Sequence, residues 1–278
     1  MKITEKNFFT TSDGAHIYFE DRGQGTALIM VPGFLCTTKF FERNAEVLSK
    51  DFRVITMDPR GQGYSSKSCH GNTMKRNAQD IYELANHLNL EKFVLLGWSL
   101  AASTVVSYAS QYHQEKLLGL VLMDGSLFPF SGDNWNRHRA RDYNIQNWQD
   151  VYFPFYYNPE AFYNKFMERI CCKEEDKEWV IAECKKTMPW TALEIHEDFC
   201  HTNNFKNLSK ITVPVAIFGA KSKAYGLEMV HKFASMVGGY SEVVEFYESG
   251  HLMFLYEADK FNKYLKAFMY KTISLQNK

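Results

Sequence analysis

Five short apolar runs constrain this chain more than anything else in it: ALIMV (27–31), FRVITMD (52–58), FVLL (93–96), LLGLVLMD (117–124) and VPVAIFG (213–219). Each is too brief for a buried helix and too continuously apolar for a strand with one face in water. That is the pattern of strands covered on both faces. Between them lie stretches with helical spacing, among them FERNAEVLSK (41–50), the amphipathic MKRNAQDIYELANHLNL (74–90) and AASTVVSYASQY (101–112). Strands alternating with helices imply an α/β fold: a mostly parallel central sheet flanked by helices. AHIYFED (15–21) alternates and reads as an edge strand. LEMVHKFASMV (227–237), SEVVEFYE (241–248) and EADKFNKYLKAFMYKTI (257–273) close the chain as helix, strand and helix.

The rhythm breaks between about 126 and 210, before the penultimate core strand. This interval is helix-like and dense in rings, including Trp135, Trp148, Tyr152, Phe155, Phe162 and Phe166. An insertion this long between core strands is usually functional or a subdomain of its own. The expected organisation is a core of residues 1–125 and 211–278 with a helical cap at 126–210. The rings either form a small core within the cap or line an apolar pocket beneath it, since ring-bearing residues at helical spacing are mostly packing residues.

Thirty-two Lys plus Arg balance 32 Asp plus Glu, so nothing in the overall field favours a nucleic acid partner. The six cysteines show no C-x-x-C pair and no zinc-type spacing, and they read as reduced thiols with no metal site. The opening MKITEKNFFTTSDG lacks the apolar core of a signal peptide, and no run is long enough for a membrane span. A cytoplasmic protein is expected on these grounds; the oligomeric state stays open.

The stretch FVLLGWSLAASTVVSYAS (93–110) sets a lone hydroxyl, Ser99, between a buried strand and a helix, with Gly97 and Ala101 two residues to either side. Strand, Gly97-Trp98-Ser99-Leu100-Ala101, helix resembles the nucleophile elbow of the α/β-hydrolase fold. There the serine takes a strained conformation and its flanking positions must be small. Ala101 stands where the family usually has glycine. DPRGQGYSS (58–66) likewise resembles the family's Asp-x-Arg-Gly-x-Gly-x-Ser segment, a structural signature.

A serine hydroxyl needs a base to take its proton, and histidine suits best. His87, His113, His138, His196 and His201 lie in helices, at a helix end or in the cap, and read as solvated or packing residues. His251, in YESGHLMFLYE, falls in the loop after the last strand, where the resemblance places the base. The family's acid usually follows the strand read at 213–219, but that turn, GAKSKAYG, has no carboxylate and offers Ser222 instead. Some members carry the acid one strand earlier, which implies Asp124. A turn-bracing role at Gly125-Ser126 is the alternative. Glu228 and Glu242 are poorer candidates, one inside a helix and one on a strand. For the oxyanion the resemblance implies the backbone N–H groups of Leu100 and of Phe34, in PGFLC (32–36), with Pro32 where the family has histidine.

The implied activity is a serine hydrolase acting on a small or medium hydrophobic ester-type substrate, a carboxylic ester or lactone, through a Ser99-His251-Asp124 triad and an acyl-enzyme. No metal or organic cofactor is required. The same scaffold also serves perhydrolases and cofactor-independent dioxygenases, and a slow-turnover ligand receptor is a further alternative.

Overall fold

The computed structural model describes residues 3–112, 114–136, 146–222 and 224–276. Its strands are β1 (Phe8–Thr10), β2 (His16–Arg22), β3 (Ala27–Val31), β4 (Arg53–Met57), β5 (Phe93–Trp98), β6 (Leu117–Met123), β7 (Val215–Ala220) and β8 (Ser241–Phe246). They form one sheet in the order β1-β2-β4-β3-β5-β6-β7-β8. From β4 to β8 every pairing is parallel, while β1 and β2 add antiparallel at one side.

The five apolar runs thus become the five central strands. AHIYFED differs from expectation: β2 is not an edge. Phe8–Thr10 pairs with its first residues and β4 with its last, and Ile17, Tyr18 and Phe19 are buried in succession. A three-residue strand is too short to leave a period in the sequence, so its partner looked like the margin.

Helices α1 (Glu42–Leu48), α2 (Met74–His87) and α3 (Leu100–Gln111) fall between the early strands. Between β6 and β7 come α4 (Trp148–Tyr152), α5 (Pro154–Tyr157), α6 (Pro159–Arg169), α7 (Lys177–Cys184), α8 (Pro189–His201) and α9 (Phe205–Leu208). The chain closes with α10 (Leu227–Met236), α11 (Met253–Tyr256) and α12 (Ala258–Gln276). Residues 137–145 of the insertion, with His138, and His113 lie outside the described residues.

Successive side chains of a strand point to opposite faces, and the core divides accordingly. Leu28 and Met30 of β3 belong to one apolar layer with α1, α11 and α12, whereas Ile29 and Val31 belong to the other with α2, α3 and α10. Trp148, Tyr152, Phe155, Phe162 and Phe166 of the insertion join the same layer as Leu28, Val94 and Trp98. The rings therefore do not make a separate core; they extend the one beneath the sheet ends.

The segment after β4 braces the loops at that end. Asp58 is fully buried and accepts the backbone N–H groups of Thr38 and Tyr64, each at 2.7 Å. Desolvation pushes its carboxyl up to about 6 despite those bonds. Arg60, also buried, pairs with Asp80 at 2.8 Å and Asp13 at 2.9 Å. DPRGQGYSS is thus absorbed as architecture.

Candidate active site

At the end of β5 the chain must reverse into α3 within one residue. Ser99 makes that turn at φ 59°, ψ −122°, a region few residues with a Cβ adopt. Its N–H donates to the Met123 carbonyl at 2.8 Å and its own carbonyl accepts from Ala102 at 3.0 Å, so the conformation is held from both sides. The helix passes so close to the strand end that a Cβ on Gly97 would lie 2.2 Å from the Ala101 carbonyl oxygen. A side chain on Gly33 would sit 2.7 Å from Ser99 Cβ, which places the loop after β3 directly against the serine. Ala101 is buried without needing to be glycine.

His251 lies in a single 3-10 turn, Gly250–Leu252, after β8. Its Nδ1 is 2.6 Å from Asp124 Oδ2, with the two side chains 3% and 1% exposed. Asp124 follows β6 directly. It has φ 42°, donates its N–H to the Phe218 carbonyl at 2.7 Å, and accepts the Ala220 N–H on Oδ1 at 3.1 Å. The Ser222 hydroxyl, in the turn after β7, lies 3.5 Å from Asp124 Oδ2 and accepts N–H groups from Ala224 and Tyr225. Trp98 holds the histidine from below: its Nε1–H donates to the His251 carbonyl at 3.2 Å, and the two rings lie 5.0 Å apart. Glu228 is in α10, and Glu242 on β8 is ion-paired with Lys271.

Beside the serine, Leu35 takes φ 64° and donates its N–H to Gln62 Oε1 at 2.5 Å. The Phe34 N–H donates to no acceptor among the described residues. The Leu100 N–H opens the first turn of α3, where such groups have no partner within the helix.

Ser99, Leu100, Phe34 and His251 line one narrow cleft, with Ala224 and Tyr225 from the turn after β7. Tyr152, Phe166, Arg169, Ile170, His196 and Phe199 from the inserted segment line it as well. The expected site residues thus converge, with Asp124 behind His251.

Among the lining residues not singled out in the sequence, two are polar. His196 accepts the Trp148 Nε1–H on Nδ1 at 2.9 Å and packs against Tyr152 and Phe34. Arg169 donates from Nη1 to the Tyr152 hydroxyl at 3.1 Å. The available signal was a polar residue on an apolar helical stripe: Phe162, Phe166 and Arg169 on α6, Ala192, His196 and Phe199 on α8.

Comparison with known proteins gives a consistent family. Residues 26–258 match the family model described as alpha/beta hydrolase fold. The AB hydrolase superfamily protein YisY of Bacillus subtilis is 22% identical over 94% of this chain and 98% of its own. A non-heme haloperoxidase of Rhodococcus erythropolis is 29% identical over 42% of this chain and 43% of that protein, so the matched stretch spans about two fifths of such relatives. Among solved structures, an esterase from Exiguobacterium antarcticum superposes with a TM-score of 0.87 at 23% identity, covering 94% of this chain and 98% of that one.

Proposed function

The chain belongs to the alpha/beta hydrolase fold family, and from that premise we propose that it is a serine hydrolase cleaving small ester-type substrates, carboxylic esters or lactones, with Ser99 as nucleophile, His251 as base and Asp124 as the orienting acid. The observation that carries this reading is the buried 2.6 Å contact between Asp124 and His251 beside a cleft that Ser99 also lines.

A carboxylate accepts and does not donate, so Asp124 fixes the ring proton of neutral His251 on Nδ1 and leaves the Nε2 lone pair for the serine. Ser99 Oγ attacks the substrate carbonyl as Nε2 takes its proton, and Asp124 stabilises the imidazolium that forms. The amides of Leu100 and Phe34 receive the developing negative oxygen. Collapse expels the alcohol with the proton from Nε2 and leaves an acyl group on Ser99. Water then attacks the acyl carbon, giving its proton to Nε2, and the acid departs as Ser99 Oγ recovers a proton. No cofactor enters these steps. We read 126–210 as a cap whose rings and methylenes favour the hydrocarbon part of the substrate.

Ser99→Ala is expected to abolish hydrolysis of short-chain aryl esters, and a fluorophosphonate probe to add its mass at Ser99. Labelling and turnover that persist without the hydroxyl would overturn the nucleophile assignment. The haloperoxidase relatives support a second reading, perhydrolysis. There hydrogen peroxide replaces water at the acyl-enzyme and a peracid leaves; peracid formation from acetate and peroxide, lost in the same variant, distinguishes it from plain hydrolysis.

A further inference from the structure

The cleft holds a positive charge that ester hydrolysis as described does not use. Arg169 ends α6, on the same helical stripe as Phe162 and Phe166, and lines the cleft together with Ser99 and His251. It is half-buried. Its guanidinium carbon lies 5.7 Å from the centre of the Tyr152 ring, and Nη1 donates to the Tyr152 hydroxyl. These contacts restrain the group without neutralising it.

Among the described residues, the other buried and half-buried arginines are all ion-paired. Arg22 meets Glu20 at 2.6 Å, Arg53 meets Asp21 at 2.7 Å, Arg60 meets Asp80 at 2.8 Å and Arg76 meets Asp80 at 2.9 Å. Among the described residues Arg169 has no carboxylate within ion-pair distance. A guanidinium offers five N–H donors in a planar fork and no acceptor. With one donor on Tyr152, the rest suit the two oxygens of a planar carboxylate, the partner that a fork recognises in pairs.

We propose that Arg169, positioned by Tyr152, anchors a carboxylate on the substrate, so that the compound cleaved is a small ester or lactone bearing an acidic group, such as a monoester of a short dicarboxylic acid. The apolar rings around the cleft would then contact the hydrocarbon between the two ends. This refines the hydrolase reading and rests on it, replacing a wholly hydrophobic substrate by one with a charged terminus.

The test compares monoethyl esters of succinic to adipic acid with neutral ethyl esters of the same chain length, on the full-length wild type, Arg169→Met, Arg169→Gln and Arg169→Lys. For Arg169→Met and Arg169→Gln, kcat/KM on the acidic esters is expected to fall about 10- to 100-fold, mainly through KM, the range set by losing a charged hydrogen bond. On the neutral esters it should stay within about twofold. Arg169→Lys should keep part of the acidic preference. An unchanged ratio of acidic to neutral rates in Arg169→Met and Arg169→Gln overturns the proposal while leaving hydrolysis by Ser99 intact. Calorimetric titration with glutarate needs no turnover and decides the matter even if no ester is cleaved. Binding to wild type and to Ser99→Ala that weakens by the same factor in both neutral variants supports the subsite; binding that is absent, or equal in all of them, removes it.

Discussion

Replacing Asp124 by Asn tests the catalytic geometry most directly, because it changes charge and hydrogen-bond direction with almost no change in shape. In the wild type Oδ2 accepts from His251 Nδ1 at 2.6 Å with both groups out of water. With charge centres about 4 Å apart and an effective dielectric of about 20, a carboxylate stabilises an adjacent imidazolium by roughly 4 kcal/mol. At 1.36 kcal/mol per tenfold, that alone predicts a fall in kcat of about 10³-fold. An amide can also donate to Nδ1, which would move the ring proton to Nε2 and set it facing the serine, so the loss should be no smaller. The assay is steady-state hydrolysis of a neutral short-chain ester, with circular dichroism to confirm the fold; KM should change little. Because the Ser222 hydroxyl lies 3.5 Å from Oδ2, adding Ser222→Asp to Asp124→Asn should return at least about tenfold of the lost rate. If Asp124→Asn retains kcat within tenfold of wild type, the aspartate only braces the turn after β6 and the acid assignment is refuted.

Gly97→Ala should lower both stability and kcat, since its Cβ would lie 2.2 Å from the Ala101 carbonyl oxygen; urea unfolding should report a loss of about 1–3 kcal/mol, and an unchanged midpoint would mean that the elbow yields freely. Arg60→Met leaves Asp80 buried with only Arg76 beside it, and denaturation should show a cost of about 3 kcal/mol or more. Burial raises Asp58 from 3.8 to about 6, so the folded state holds its proton more tightly than the unfolded chain. That contribution to stability is complete below pH 4 and lost as pH rises through 6. Measured against Asp58→Asn, the wild type should therefore lose about 2 kcal/mol between pH 4 and pH 7 in urea unfolding, and parallel curves would refute the shift.

The central sheet was legible because β3, β5 and β6 lie between other strands and must be apolar at every position. That Ser99 and His251 share one cleft was implied by the resemblance of the 97–101 turn and the loop after β8, since each follows a strand end, where a short turn leaves little freedom in placing a side chain. Asp124 could be reached only by noticing that 219–226 holds no carboxylate. The misjudged edge at β2 came from a partner too short to show a period. Arg169 and His196 were missed because the wall they form depends on how α6 and α8 lie against the sheet, and no spacing along one helix encodes that. The signal present, a charge or imidazole on an otherwise apolar stripe, has a common structural explanation in snorkelling or internal hydrogen bonding.

Asp124 and Ser99 leave neighbouring strands of one parallel ladder, where β5 and β6 are registered residue against residue from Val94 and Gly119 to Trp98 and Met123. Their mutual placement is thus dictated by main-chain pairing, and no flexible segment has to be remembered correctly by the fold. The turn past β7 beyond Ser222, which carries no carboxylate, is a natural graft point: sequences of other lengths could be spliced there beside Ala224 and Tyr225 to reshape the mouth of the cleft while the Asp124–His251 contact stays where it is.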